Sequence, residues 1–168
     1  MTAQRQEIKG RWLELARIAA VCGLLIGVCS GSFALAATTE RLVVDRLTGL
    51  ALGGTDPVAY FTDARMLTGR PDIELSAQGA VWRFRNEDNR AFFLAAPDIY
   101  APRFGGYDPV DVARGVAVAG LPRLWLIHDQ RLYLFSREES RDAFAADPGK
   151  ILQAAVAGWP GVRETLAQ

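Results

Sequence analysis

Gly53-Gly54-Thr55-Asp56-Pro57-Val58 returns 52 residues later as Gly105-Gly106-Tyr107-Asp108-Pro109-Val110. A second block recurs at nearly the same offset. Trp82-Arg83-Phe84, leading into Glu87, Arg90, Phe93, Ala95 and Pro97, becomes Tyr133-Leu134-Phe135, leading into Glu138, Arg141, Phe144, Ala146 and Pro148, 51 residues on. Two blocks at matching spacing define an internal repeat, over about 53–100 and 105–151. A unit of roughly 50 residues has too little interior to fold well alone without a metal or a disulfide. A second copy is another way to build a core.

Each copy reads in the same order. Gly-Gly breaks the chain, and Asp-Pro opens a short helix. Asp56 and Asp108 are placed to cap the free amides, with Pro57 and Pro109 at the first helical position, where no N–H is needed. Gly115 is the expected stop of the second such helix. Alternation over Asp72 to Phe84 around Gln78-Gly79 predicts a β-hairpin, and Leu124 to Phe135 predicts its partner, turning near His128-Asp129-Gln130. A helix follows each hairpin. Asn86 to Ala96 is expected to turn Asn89 or Arg90 outward and Phe92, Phe93 and Ala96 inward, ending at Pro97. Arg137 to Asp147 repeats it around Phe144, ending at Pro148. Glu87/Arg90 and Glu138/Arg141 are i,i+3 pairs. A last helix is expected from about Lys150 to Gly158, before Trp159-Pro160, and a lead-in strand over Thr38 to Leu47. The expected fold is α+β: two tandem β-hairpin–helix units, with a repeat of about 51 residues, packed as one domain.

The first 36 residues stand apart. Arg5, Lys9, Arg11 and Arg17 precede an apolar run from Ile18 to Phe33, and Ala34-Leu35-Ala36 fits a small-x-small cleavage site. That layout predicts a signal peptide over 1–36 and an exported domain over 37–168, periplasmic or secreted. The alternative is an uncleaved inner-membrane anchor over 18–37. Both cysteines, Cys22 and Cys29, lie in this segment. The remainder therefore has no disulfide, thiol nucleophile or thiolate ligand to offer. It carries 15 basic and 17 acidic residues, so no cationic excess points to nucleic acid, and the membrane enters only through an uncleaved segment. The expected partner is a small molecule or a protein.

Several stretches resemble the YHS domain family in its longer, exported bacterial form. They are Gly53 through Phe61, Val81-Trp82-Arg83-Phe84 through Asn89-Arg90 to Phe93 and Pro97, Tyr100 through Tyr107, Trp125-Leu126-Ile127 with Leu132-Tyr133-Leu134, and Trp159-Pro160. Together they span roughly residues 45–160. The resemblance implies an association with metal handling through cysteines near the aromatic strand. Here Thr48, Arg85, Asn89 and Asp108 stand where such modules often carry cysteine. Soft-metal binding by thiolates is thereby ruled out, and no cofactor is expected.

Seven residues are candidates for a binding site. His128, the one histidine, would need Asp108, Asp111 or Asp129 as co-ligands, and otherwise is a turn residue. Asp108 and Asp111, spaced i,i+3, suit either a hard cation or acid–base work; otherwise they are an N-cap and a first-turn acid facing the helix dipole. Tyr60, Tyr107 and Trp125, with Phe61, Tyr100, Phe104 and Trp159, would line an apolar pocket between the repeats or simply form core, and Arg103 beside them would contact an anion. Ser76, Ser136 and Ser140 sit in no nucleophile elbow, and no phosphate-cradling glycine loop is present. Nothing in these residues argues for an enzyme.

Overall fold

The structure, a computed structural model, describes residues 42–166. The expected signal or anchor segment and the start of the lead-in strand lie outside the described residues. The fold is α+β. A short helix α1 (Ala59–Thr62) precedes the antiparallel hairpin β1 (Arg70–Ala77)–β2 (Ala80–Phe84) and helices α2 (Glu87–Ala95) and α3 (Pro97–Tyr100). The sequence then repeats itself in space as α4 (Pro109–Val112), β3 (Leu121–His128)–β4 (Arg131–Phe135), α5 (Glu138–Ala146) and α6 (Pro148–Leu166). From the hairpin onward the first three matching elements share both length and a 51-residue offset.

The repeat extends to irregular detail. Both hairpins carry the same register shift, between Arg70 and Glu74 and between Leu121 and Trp125. Pro71 and Pro122 fall in that bulge, where a missing N–H costs no ladder bond. Both hairpin turns use two left-handed residues, Gln78-Gly79 and Asp129-Gln130, the conformation whose twist matches the flanking strands. Three consecutive left-handed residues also recur, Leu52-Gly53-Gly54 and Phe104-Gly105-Gly106, at φ of 53, 58 and 82° and of 52, 61 and 84°. Glycine takes two of the three positions because it adopts that conformation without steric cost. Leu52 and Phe104 adopt it at a steric cost that the packing of their buried side chains offsets. Gly69 and Gly120 are a further matched pair: a Cβ there would lie 2.5 Å from Arg83 or Leu134.

Two hydrophobic cores result. Trp82, Phe84 and Phe93 fill the first, with Phe93 centroids 4.7 Å from Trp82 and 5.4 Å from Phe84. Tyr133, Phe135 and Phe144 fill the second, with matching distances of 4.9 and 5.3 Å. The copies differ on the other face of the second strand. In β2 that face is Val81 and Arg83, and Arg83 pairs with Glu74 at 2.7 Å. In β4 it is Leu132 and Leu134, and both are buried in the first core. Strand alternation thus places β4 in both cores at once. Tyr60 crosses in the other direction: its hydroxyl donates to the Pro122 carbonyl at 2.8 Å and its ring meets Trp125 edge-on at 5.1 Å.

Local expectations fail where distant packing decides. Asn89 is buried and Phe92 is half-exposed, the reverse of the expected orientation, because Asn89 is drawn inward to a buried carboxylate. Arg141 bonds Asp142 rather than Glu138, whereas Arg90 does pair with Glu87 at 2.7 Å. Residues 42–49 form no strand; Val44 makes one isolated bridge to Ala51, and Asp45 accepts from the Leu47 and Thr48 amides to close a turn. The last helix is not short. It begins at Pro148 and runs through Trp159-Pro160 to Leu166. Proline leaves the Val156 carbonyl without its helical donor, and Val156 is solvent-exposed, where water can serve instead. Ala155 and Val162, buried in the second core, hold the helix together across the interruption. Gly158 lets it approach closely, since a Cβ would lie 2.9 Å from the Val112 carbonyl oxygen.

Candidate functional site

The seven candidate residues fall in four places. Tyr60 and Trp125 pack together at the first core, and burial raises the Tyr60 phenol pKa far above its ordinary 10.0. His128 ends β3 beside Asp129, at 3.3 Å, and stands edge-on to Phe144. Asp108 and Asp111 lie at the opposite end of the second hairpin. His128 pairs with Arg131 at the turn, whereas Asp108 bonds Ser136 just beyond Phe135. Five residues of extended chain separate those ends, about 16 Å at ~3.3 Å per residue. His128 and the aspartates therefore do not form the site considered for them. Among the described residues no three His, Cys, Asp or Glu side chains converge as metal ligands.

The aspartates are engaged as hydrogen-bond acceptors. Asp56 is fully buried; Oδ1 accepts from the Val58 and Ala59 amides and Oδ2 from the Arg85 amide and Asn89 Nδ2, at 2.8 and 2.7 Å. Asp108 is also fully buried, accepting from the Val110 amide at Oδ1 and from the Ser136 amide and hydroxyl at Oδ2. Each aspartate ties its short helix to the end of its own hairpin. Asp108 is the expected N-cap of α4, with Pro109 at its first position, but α1 starts only at Ala59 with Val58 as its N-cap, because Asp56 holds the Val58 and Ala59 amides in a turn before the helix. Ser140 occupies the position of Asn89, is too short to copy its bond, and has a buried Oγ without a hydrogen-bond partner. Ser136 donates in its place.

Asp111 belongs to the second network. Arg137 donates to both its oxygens, at 2.8 and 3.1 Å, and Arg114 donates to Oδ1. The Arg137 guanidinium holds the Asp111 carboxyl below its ordinary 3.8, against the opposing effect of burial, with Arg114 assisting. A depressed native pKa gives stability that is full above the unfolded-state value and lost as pH falls through the native one. Arg137→Gln should therefore lower stability near neutrality. The gap between the two proteins should close below pH 3.8. Urea midpoints measured from pH 7 to 2 would show it, and a gap that stays constant would exclude this role for the pair.

The aromatics do not line one shared pocket. Tyr60, Phe61, Tyr100 and Trp125 belong to the first core, and Phe104, Tyr107 and Trp159 to the second. An apolar groove of about 260 Å³ does lie along the junction of the repeats, but aliphatic residues such as Val44, Leu52, Leu121 and Leu134 line it. A second cleft, also about 260 Å³, opens between α6 and the connector 101–105, bounded by Arg103, Arg163, Trp159, Phe104, Asp98 and Gln78. Arg103, a candidate from the sequence, borders this cleft. Asp98, Gln78 and Arg163 went unnoticed because they are far apart in sequence and carry no motif.

No family model, no curated protein and no solved structure matches this chain.

Proposed function

We propose that this chain is an exported, non-enzymatic binding module of the YHS type in which structural hydrogen bonds occupy the place of a metal site. One observation carries the reading. Arg85 and Asn89, two positions where the resemblance calls for cysteine, converge on a single acceptor, the Asp56 carboxylate. Of their counterparts 51 residues on, Ser136 and Ser140, Ser136 bonds Asp108 twice in the second repeat. Backbone N–H groups, a carboxamide and hydroxyls around a carboxylate are the wrong donor set for a thiophilic metal. They suit a capped helix tied to a hairpin. The residues do not fit the metal that the family association would bring.

On this reading the second repeat supplies the stability that a metal staple gives a single small module, and the ligand is a small molecule or protein held at the surface. Elemental analysis of the purified protein tests it. The expected result is less than about one-tenth of an equivalent of zinc, copper or iron after dialysis against chelator, with the thermal unfolding midpoint unchanged by that treatment. A stoichiometric transition metal, or a chelator-induced loss of structure, would contradict the reading.

A further inference from the structure

We infer that α6 is a lid over the second core, opening as a unit while both hairpins stay folded. Beyond residue 151 the helix has no counterpart in the repeat, so it is an appended cover rather than part of either copy. It takes the place that the second hairpin takes in the first repeat. There α1 is covered by that hairpin, Tyr60 meeting Trp125 and bonding Pro122. Val112, 52 residues after Tyr60, is covered by α6 instead, where a Cβ on Gly158 would lie 2.9 Å from the Val112 carbonyl oxygen. Trp159 packs on Phe104 and Tyr107, with ring centroids 5.6 and 6.2 Å away.

The helix is weak by itself. Pro160 removes a helical hydrogen bond, and Gly158 and Gly161 stand close on either side of it. Compared with alanine at all three positions, these residues lower the intrinsic tendency to form helix by more than about a thousandfold. Close approach to Val112 requires the glycine at 158, but a Cβ on Gly161 would meet nothing within 4 Å. Such a helix stands by its packing. Of the 19 residues of α6 only Ala155 and Val162 are buried, whereas β4 buries four of its five. Toward the connector 101–105, a cleft of about 260 Å³ lies where close packing would otherwise hold the helix. Segments with few buried apolar side chains open at lower free energy than fully packed strands. Opening of α6 uncovers Phe104, Tyr107 and Val112, an apolar face that the closed protein keeps covered.

Native-state hydrogen exchange in low urea, read by NMR on the whole purified protein, tests the lid. Amides from Ala155 to Val162 should share one opening, at least about a hundredfold more populated than the opening that releases Leu132 to Phe135. Ile73 belongs to the first core, so Ile73→Val should speed β4 exchange about fivefold and leave α6 rates unchanged. Gly161→Ala should slow α6 exchange about fivefold. Equal opening constants for α6 and β4, or parallel acceleration of both by Ile73→Val, would make α6 part of one cooperative unit and overturn the inference. Exchange graded inward from Leu166, the mark of fraying, would overturn it too, as would α6 rates indifferent to Gly161→Ala.

Discussion

Asp56→Ala is expected to remove about 3–7 kcal/mol of stability, and Asp108→Ala less. The difference follows from what each substitution strands. Loss of the Asp56 carboxylate removes the acceptor of the Val58 and Ala59 amides at the entry to α1, worth about 1 kcal/mol by analogy with a helix cap. It also leaves the Arg85 amide and Asn89 Nδ2 without their acceptor. Orphaned donors in a buried setting cost about 1–3 kcal/mol each. Loss of the Asp108 carboxylate deletes a cap, but one of its remaining donors, the Ser136 hydroxyl, already reaches Asp111 at 3.3 Å and can turn to it. Only the Ser136 amide is then stranded, for about 2–4 kcal/mol in total. Whole-domain stabilities are about 5–15 kcal/mol, so the first substitution takes a large part of what there is. Urea unfolding, with the denaturant slope unchanged, would give both values. The opposite ranking would mean that the carboxylates do not tie helix to hairpin as described.

The repeat was legible because its signals are local. Gly-Gly supplies left-handed backbone, Asp-Pro starts a helix, and alternation around Gln78-Gly79 makes a hairpin; each depends on residues within a few positions of one another. The order of elements and the α+β class follow from them. What stayed hidden is set by partners far along the chain. Asn89 turns inward to meet Asp56, 33 residues away. The stretch around Trp159-Pro160 looks like a helix end, yet Ala155 and Val162 packed in the second core carry α6 through it. Gly69 and Gly120 recur in register, but only the closeness of Arg83 and Leu134 explains why no larger residue fits.

The candidate site was less legible than the fold. Asp108 and Asp111 attracted attention as a spaced pair of acids, and the spacing does reflect proximity, but their oxygens are filled by Ser136, Arg137 and Arg114. Arg103 was noticed for its aromatic neighbours, and it does border a cavity. Its partners there, Arg163 and Asp98, come from elements that only the fold brings together. A motif search weighs residues near one another in sequence. A cleft assembled from a hairpin turn, a connector and a C-terminal helix gives it nothing to find.

The central claim is that the first repeat is not a folding unit by itself, because its core needs residues from the second. The first core contains Leu132 and Leu134 from β4, with Trp125 packed against it, and Tyr60 bonds Pro122 from across the junction. Substituting a single buried leucine by alanine typically costs about 2–5 kcal/mol, so losing Leu132 and Leu134 together takes most of the about 5–15 kcal/mol that holds a domain folded. Removing residues 100–160 deletes these groups and tests the claim directly. The shortened chain should lack near-ultraviolet circular dichroism and unfold without a cooperative transition, with added zinc or copper restoring neither. A cooperative transition in that half, with native-like aromatic signals, would contradict the account and make the duplication dispensable for folding.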